Sequence, residues 1–287
     1  MPRILINLMR LTRIYLMAVV ALTGVMGFVI FRGGFDWEVL WVFAGITFLG
    51  SSLSALNQIQ EKDHDARMER TKNRPLPTGE MDLLSVIFVT MLFGIAGLYC
   101  LTATNRNFLP ILSLVIIALV CYNIIYTYLK PHTNFAILPG SIVGGVPPAL
   151  GWCMAGGLWW DQTIWAIGLY FILWQVPHFW LIMFCRNAEY KEAGFVTITD
   201  DMPSLIVRRL TFTWIAAAAL FSLYMALALD YHLYIKTVVM LASLWIVRAS
   251  IFLMREAVSQ NAFRPAFARF NMFNLCVILA GLANACI

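Results

Sequence analysis

The sequence predicts an all-α polytopic membrane protein. About nine transmembrane helices are expected around a central cavity, with active-site loops on the cytoplasmic side. Three observations lead there. First, 61% of the 287 residues are hydrophobic and only 12% charged, at a mean hydropathy of +0.78. Soluble domains carry about a quarter charged residues, so these charges are too few to cover a water-soluble globule of this size. Second, the apolar residues fall into runs near the roughly 20 residues that cross a bilayer's hydrocarbon core. Such runs must be helical, because only a helix satisfies its own backbone hydrogen bonds in lipid. Third, the charges gather in alternate loops, as a chain that crosses the membrane repeatedly requires.

The runs are read at 12–31, 39–58, 82–102, 109–129, 136–157, 163–184, 210–229, 235–254 and 267–286. The first follows Arg3, Arg10 and Arg13 and looks like a signal peptide, but it is long and no small-residue cleavage site follows. It is read as a retained helix. No internal repeat or linker interrupts the chain, so residues 1–287 are read as one transmembrane domain. Of the 20 Lys and Arg residues, only Arg32, Arg106 and Lys236 fall on the side opposite the N-terminus. The positive-inside rule then puts the N-terminus in the cytoplasm and the C-terminus outside. No basic stripe alternates with aromatics, so nucleic acid is not an expected partner. The six cysteines form no CxxC pair and read as packing residues.

The first large loop carries the strongest chemistry. Asn57 to Gly79 reads NQIQEKDHDARMERTKNRPLPTG, with no helix breaker before Pro75, so the second helix is expected to continue to about Arg70. Asn57, Glu61 and Asp65 then share one face, since each step of four residues turns about 40°. Three oxygen donors on one face suit a hard cation such as Mg²⁺, which takes one or two carboxylates and completes its shell with phosphate and water. Asp63 points elsewhere on that helix. Arg67, Arg70, Lys72 and Arg74 follow at once and suit a diphosphate. From charge alone, a solvated loop with salt bridges explains the run as well. Pro75 and Pro77 stop the helix, and the next is expected to begin at Thr78 or Gly79.

Residues 139–151, PGSIVGGVPPALG, combine glycines suited to close helix contact with Pro147 and Pro148, which are expected to kink or break the fifth helix. The sixth run contains WQVPHFW, where His178 lies at membrane depth after Pro177. It is either a functional group or a neutral histidine bonded to a freed carbonyl. Trp159, Trp160, Trp174 and Trp180 form either an interfacial belt or a wall for a flat substrate. In the loop that follows, Glu189 is a candidate second acidic element, and Tyr190 and Lys191 are candidates to hold phosphate or substrate.

Together these elements resemble the UbiA superfamily of intramembrane prenyltransferases, over about residues 10 to 280. NQ…D.DARM.RTKNRPLPTG carries the resemblance, and YTYLK at 126–130, GG.PPALGW at 144–152, WQVPHFW and EY.EAG point within it to a heme-prenylating branch. The superfamily's first acidic motif falls on Asn57, Glu61 and Asp65, with Glu61 where Asp is usual. Glu189 stands where the heme branch usually has Asp, and the D-x-x-x-D pair of other branches is missing at Arg186 and Tyr190. After Gly194 the chain reads FVTITDDMP where that branch usually has x-PMLP.

The resemblance implies farnesyl transfer from farnesyl diphosphate to a vinyl group of heme b. Asn57, Glu61, Asp65 and Glu189 would ligate Mg²⁺. Arg67 and Arg70 would stabilise the leaving diphosphate, and Lys72, Arg74, Tyr126, Lys130, His178, Glu189, Tyr190 and Lys191 would bind substrate. The lipid bilayer is the implied setting, and heme-pathway or terminal-oxidase assembly proteins are implied contacts. Two alternatives stand beside it: prenyl transfer to an aromatic quinone precursor, and a non-catalytic heme-binding or transport protein. Charge gathered at one face fits an enzyme better than a transporter.

Overall fold

The computed structural model describes residues 3–104 and 106–287. It is all-helical, and among the described residues nine helical segments are long and apolar enough to cross a membrane. In chain order the α-helices are α1 (Arg3–Thr12), α2 (Ile14–Arg32), α3 (Val39–Gln60), α4 (Lys62–Asp65), α5 (Leu83–Thr102), α6 (Phe108–Leu119) and α7 (Thr127–Leu129). They continue with α8 (Ile137–Ala155), α9 (Gln162–Cys185), α10 (Asn187–Glu192), α11 (Ile198–Asp201), α12 (Ser204–Ala228), α13 (Leu233–Ser250) and α14 (Phe263–Ala285). A π-helical turn, Val120–Tyr126, joins α6 to α7. The nine spans match the apolar runs, but the seventh begins at Ser204 and the ninth at Gln260, earlier than hydropathy suggests. In the seventh, charge does not end the helix. Arg208 is buried and donates to the carbonyls of Arg255 (2.8 Å) and Glu256 (2.9 Å).

Neighbouring helices pack in sequence, and α14 returns against α2 to close the ring. The contact of α2 with α8 explains the glycine- and proline-rich stretch. A Cβ at Gly151 would lie 1.8 Å from the Gly24 carbonyl oxygen, and one at Gly27 would lie 2.1 Å from that of Pro148. Backbone meets backbone here, which only glycine permits. Of the two outcomes expected of Pro147 and Pro148, a break does not occur: α8 runs through both to Ala155. At the end of the bundle away from the first large loop, Glu38 is buried and receives both Arg32 (2.6 Å) and Arg106 (2.8 Å).

The first large loop departs from expectation as well. α3 ends at Gln60, where Glu61 leaves helical geometry (φ −99°, ψ 15°), and α4 ends at Asp65 rather than near Arg70. Successive turns carry the chain onward to a left-handed Gly79 (φ +72°). α5 then starts at Leu83 rather than at Thr78 or Gly79. Asp82 is its N-cap and accepts from the Ser85 amide at 3.3 Å. A carboxylate cap satisfies an orphan donor that Thr78 is placed too early to reach.

Candidate active site

Despite the break at Glu61, the predicted acidic face survives. The Glu61 amide donates to the Asn57 carbonyl (2.9 Å), and the Asp65 amide donates to the Glu61 carbonyl (2.8 Å). Asn57, Glu61 and Asp65 thus remain stacked one turn apart, and all three are buried. Asp63 is exposed, and among the described residues it makes no ion pair.

Burying two carboxylates requires partners. Asp65 is paired with Arg74, whose side chain is itself largely buried. Glu61 is paired with Lys130 at 3.3 Å. Burial raises the Asp65 carboxyl above its ordinary value in spite of Arg74. Burial, with repulsion from Arg13, brings the Arg74 guanidinium down to about 10. In both partners desolvation outweighs attraction, so this pair is a costly arrangement rather than a stabilising one.

The Asn57 amide is oriented by a residue that sequence reasoning missed. Its Nδ2 donates to Thr127 Oγ1 at 3.0 Å, and that hydroxyl spends its own proton on the Tyr122 carbonyl at 2.9 Å. Thr127 must therefore accept, which leaves Asn57 Oδ1 as the atom free to bind a cation. The π-helical turn makes this possible. It brings the Thr127 amide and hydroxyl onto one carbonyl and presents Asn123 to α3. Asn123 Nδ2 donates to the Leu53 carbonyl (3.0 Å), while Gln60 Nε2 donates to the Asn123 carbonyl (2.9 Å). Single π-turns inside α-helices recur at functional sites, and the YTYLK stretch gave no sign of one.

The basic residues divide into two groups. Arg67 and Arg70 are exposed, and among the described residues neither has an ion-pair partner. Lys72 is engaged by Glu69 at 2.5 Å. Arg13 also bears on the site: its charge acts on both Asp65 and Arg74, and it sits between α1 and α2 at φ +48°. A left-handed non-glycine residue is strained, and such strain concentrates at functional sites. The sequence offered only a basic residue before an apolar run.

The second loop covers the first. Tyr190, Ala193 and Phe195 pack on Met68, and the Lys130 ammonium lies 4.0 Å from the Phe195 ring centroid, 5.5 Å from Tyr190 and 5.9 Å from Tyr126. Lys191 turns away to Asp200 at 2.6 Å. Glu189 pairs with Arg186 at 2.7 Å, and its second oxygen is buried with no partner among the described residues. Among the described residues no three His, Cys, Asp or Glu side chains converge to hold a metal, so Glu189 does not join Glu61 and Asp65 in one group.

The donor set fits Mg²⁺ nonetheless. Two buried carboxylates and one directed amide oxygen leave positions for phosphate and water, the usual share for this ion.

An aromatic ladder leads inward from Lys130. Tyr122 and Tyr126 stack at 5.8 Å, Tyr126 and Phe179 at 5.8 Å, and His178 touches Phe179 (6.0 Å), Trp174 (4.4 Å) and Phe267 (5.0 Å). Trp174 stacks in turn on Phe270 at 6.0 Å. Among the described residues, His178 Nδ1 and Trp174 Nε1 are both buried without a hydrogen-bond partner. Trp159 and Trp160 instead cluster with Trp165, and Trp180 meets Trp214.

Known proteins share this arrangement of helices. The UbiA prenyltransferase family profile matches residues 15–275. The protoheme IX farnesyltransferase of Oleidesulfovibrio alaskensis is 36% identical over 193 residues, 67% of this chain and 68% of that protein. That of Geobacter sulfurreducens is 41% identical over 189 residues, 63% of this chain and 66% of its own length. Among solved structures, one concerning digeranylgeranylglyceryl phosphate synthase superposes with a TM-score of 0.79 at 15% identity, covering 98% of both chains. A UbiA homolog from Archaeoglobus fulgidus bound to DMAPP and Mg²⁺ gives 0.67 at 15% identity, covering 98% of this chain and 99% of that one. At those identities the structures speak to the fold.

Proposed function

The chain belongs to the UbiA prenyltransferase family, and from that premise we propose that it transfers a farnesyl group from farnesyl diphosphate to a vinyl group of heme b. The observation that carries prenyl transfer is the buried stack of Asn57, Glu61 and Asp65 beside Lys130 and Arg74. Mg²⁺ bound there would neutralise diphosphate oxygens and make them a competent leaving group, as suggested by the Mg²⁺ bound with DMAPP in the Archaeoglobus fulgidus homolog. Asn57 Oδ1, Glu61 and Asp65 would hold the ion, and Glu189, which does not join that group, would be a candidate ligand for a separate ion.

Arg67 and Arg70 have their guanidinium groups free to bind the departing diphosphate bidentately. Lys130 is placed to turn from Glu61 to phosphate. Arg74 and Tyr190 are further candidates to face the substrate, whereas Lys72 and Lys191 would bind it only on release from Glu69 and Asp200. The allylic C–O bond breaks with both electrons leaving on diphosphate. The vinyl π pair then forms the new C–C bond, and water adds to the resulting cation and loses a proton. The surrounding apolar helices keep the allylic cation from water until the acceptor reacts.

The aromatic ladder supports heme as the acceptor. Tyr126, Phe179, Trp174 and Phe270 offer flat apolar faces, and among the described residues His178 Nδ1 and Trp174 Nε1 are without a partner. A porphyrin has the size and the polar or metal groups to use both. The names of the two farnesyltransferase relatives support the same acceptor. The one-sided distribution of Lys and Arg supports a cytoplasmic N-terminus, and the site would then face the cytoplasm.

The test is a membrane assay with farnesyl diphosphate, Mg²⁺ and heme b, read by chromatography and mass spectrometry. A heme carrying a hydroxyethylfarnesyl group is expected, and it should vanish in Glu61→Ala and Asp65→Ala while membrane insertion persists. Transfer to an aromatic quinone precursor alone would keep the metal site and move the acceptor. Undiminished transfer in both variants would remove the metal assignment.

A further inference from the structure

We propose that His64 is a positioning residue, which clasps the second loop onto the first and through Phe195 fixes where the Lys130 ammonium rests. The inference rests on the proposed prenyl transfer for its consequence, but its geometry stands on its own.

His64 follows Glu61 and Asp63 and precedes Asp65, yet its ring engages a segment far away in the chain. Nδ1 lies 2.8 Å from the Ala193 carbonyl oxygen. A carbonyl only accepts, so the proton is on Nδ1. The same ring stacks on Phe195 with centroids 4.7 Å apart and planes 29° apart. Between these two contacts lies Gly194 at φ +80°, a left-handed turn that presents the Ala193 carbonyl and the Phe195 ring to His64 together. The Phe195 amide closes the turn on the Tyr190 carbonyl at 3.0 Å.

Phe195 is 4% exposed, so its ring has one seat. It takes the nearest place beneath Lys130, 4.0 Å from the ammonium, with Tyr190 and Tyr126 further out. Lys130 thus has two anchors, the Glu61 carboxylate and this aromatic cage. A cation over an aromatic face keeps its charge while being held in place. With Glu61 committed to a metal, the cage alone would keep the ammonium within reach of phosphate. The rest of the second loop has its own ties: Lys191 to Asp200, the Thr197 amide to Asp200 at 2.8 Å, and Asn134 to Asp201. His64 supplies the hydrogen bond from the first loop to the turn at 193–195.

Two measurements on the full-length protein in micelles test this. The first is hydrogen exchange of the amides of residues 193–197. One hydrogen bond and one aromatic contact bias a local opening by about tenfold or more, so His64→Ala should speed exchange there by roughly that factor. His64→Gln, which keeps a donor but loses the stack, should fall between. Unchanged exchange in His64→Ala, with thermal unfolding as in wild type, overturns the clasp. If His64→Ala fails to fold, the comparison is made with His64→Gln under the same criterion.

The second measurement is Mg²⁺-dependent binding of farnesyl thiodiphosphate, a slowly reacting substrate analogue. His64→Ala should weaken binding in the wild-type background and have no further effect in Lys130→Met. An equal loss in both backgrounds overturns the route through Lys130. Absence of any prenyl transfer by the wild-type protein would sink the proposed function but leave the exchange result to judge the clasp.

Discussion

Arg74→Met separates the cost of the buried ion pair from its use. The Asp65 and Arg74 side chains keep 4% and 11% of their exposure, and burial moves both groups toward their neutral forms. For such a pair, deleting one partner costs about 3–5 kcal/mol, because the other is left charged and dry. Replacing both with neutral groups of similar volume is often neutral or stabilising by about 1–4 kcal/mol. Arg74→Met is therefore expected to destabilise by about 3–5 kcal/mol, toward the low end if Asp65 takes up a proton. Asp65→Asn combined with Arg74→Met is expected to recover wild-type stability or exceed it, giving a coupling of several kcal/mol between sites that touch. Denaturant unfolding in micelles, followed by tryptophan fluorescence, reads the stability. The membrane assay reads transfer, which the double variant should lack although it folds better. If Arg74→Met proves as stable as wild type and the double variant no better, Asp65 is hydrated in the native state and the desolvation argument fails.

Other expectations follow from single contacts. Thr127→Val removes the acceptor for Asn57 Nδ2 and should lower Mg²⁺ affinity about tenfold in a titration of activity, because the stranded amide costs about 1–3 kcal/mol. Gly151→Ala puts a Cβ 1.8 Å from a backbone oxygen and should cost about 1–3 kcal/mol or more in thermal unfolding. Gly33→Ala, with open space but φ +68°, should cost only about 1–2 kcal/mol. The Arg106 hydrogen bond, joined by Arg32, holds the Glu38 carboxyl below its ordinary value. A depressed carboxylate stabilises the fold above its unfolded pKa and loses that contribution as pH falls through its folded one. Glu38→Gln should therefore cost about 1 kcal/mol at neutral pH and flatten the acid limb of a stability profile.

The spans were legible because hydropathy and the bilayer impose the same length scale on every helix. Two features at helix ends were not legible. The break at Glu61 comes without proline or glycine, and the next helix waits for Asp82 although Thr78 and Gly79 look like starts. Each depends on where a side chain finds a partner, and pattern alone does not encode that. The break that the prolines of α8 left open does not occur, for a related reason. Their carbonyls lie against the glycines of α2, so packing carries a helix that local propensity would end.

The site divides along the same line. The fourfold spacing of Asn57, Glu61 and Asp65 was visible because the main chain keeps that spacing even where the helix bends. Their partners were not visible: Thr127 and Lys130 come from a segment some 70 residues away, and His64 meets Ala193 across 129 positions. A loop rich in both charge signs reads equally well as a solvated surface. What decides against that reading is burial. Both motif carboxylates are removed from water, and each is held by a cation rather than by solvent. A surface loop has no reason to bear that desolvation, whereas a site that exchanges those cations for a metal and a diphosphate does.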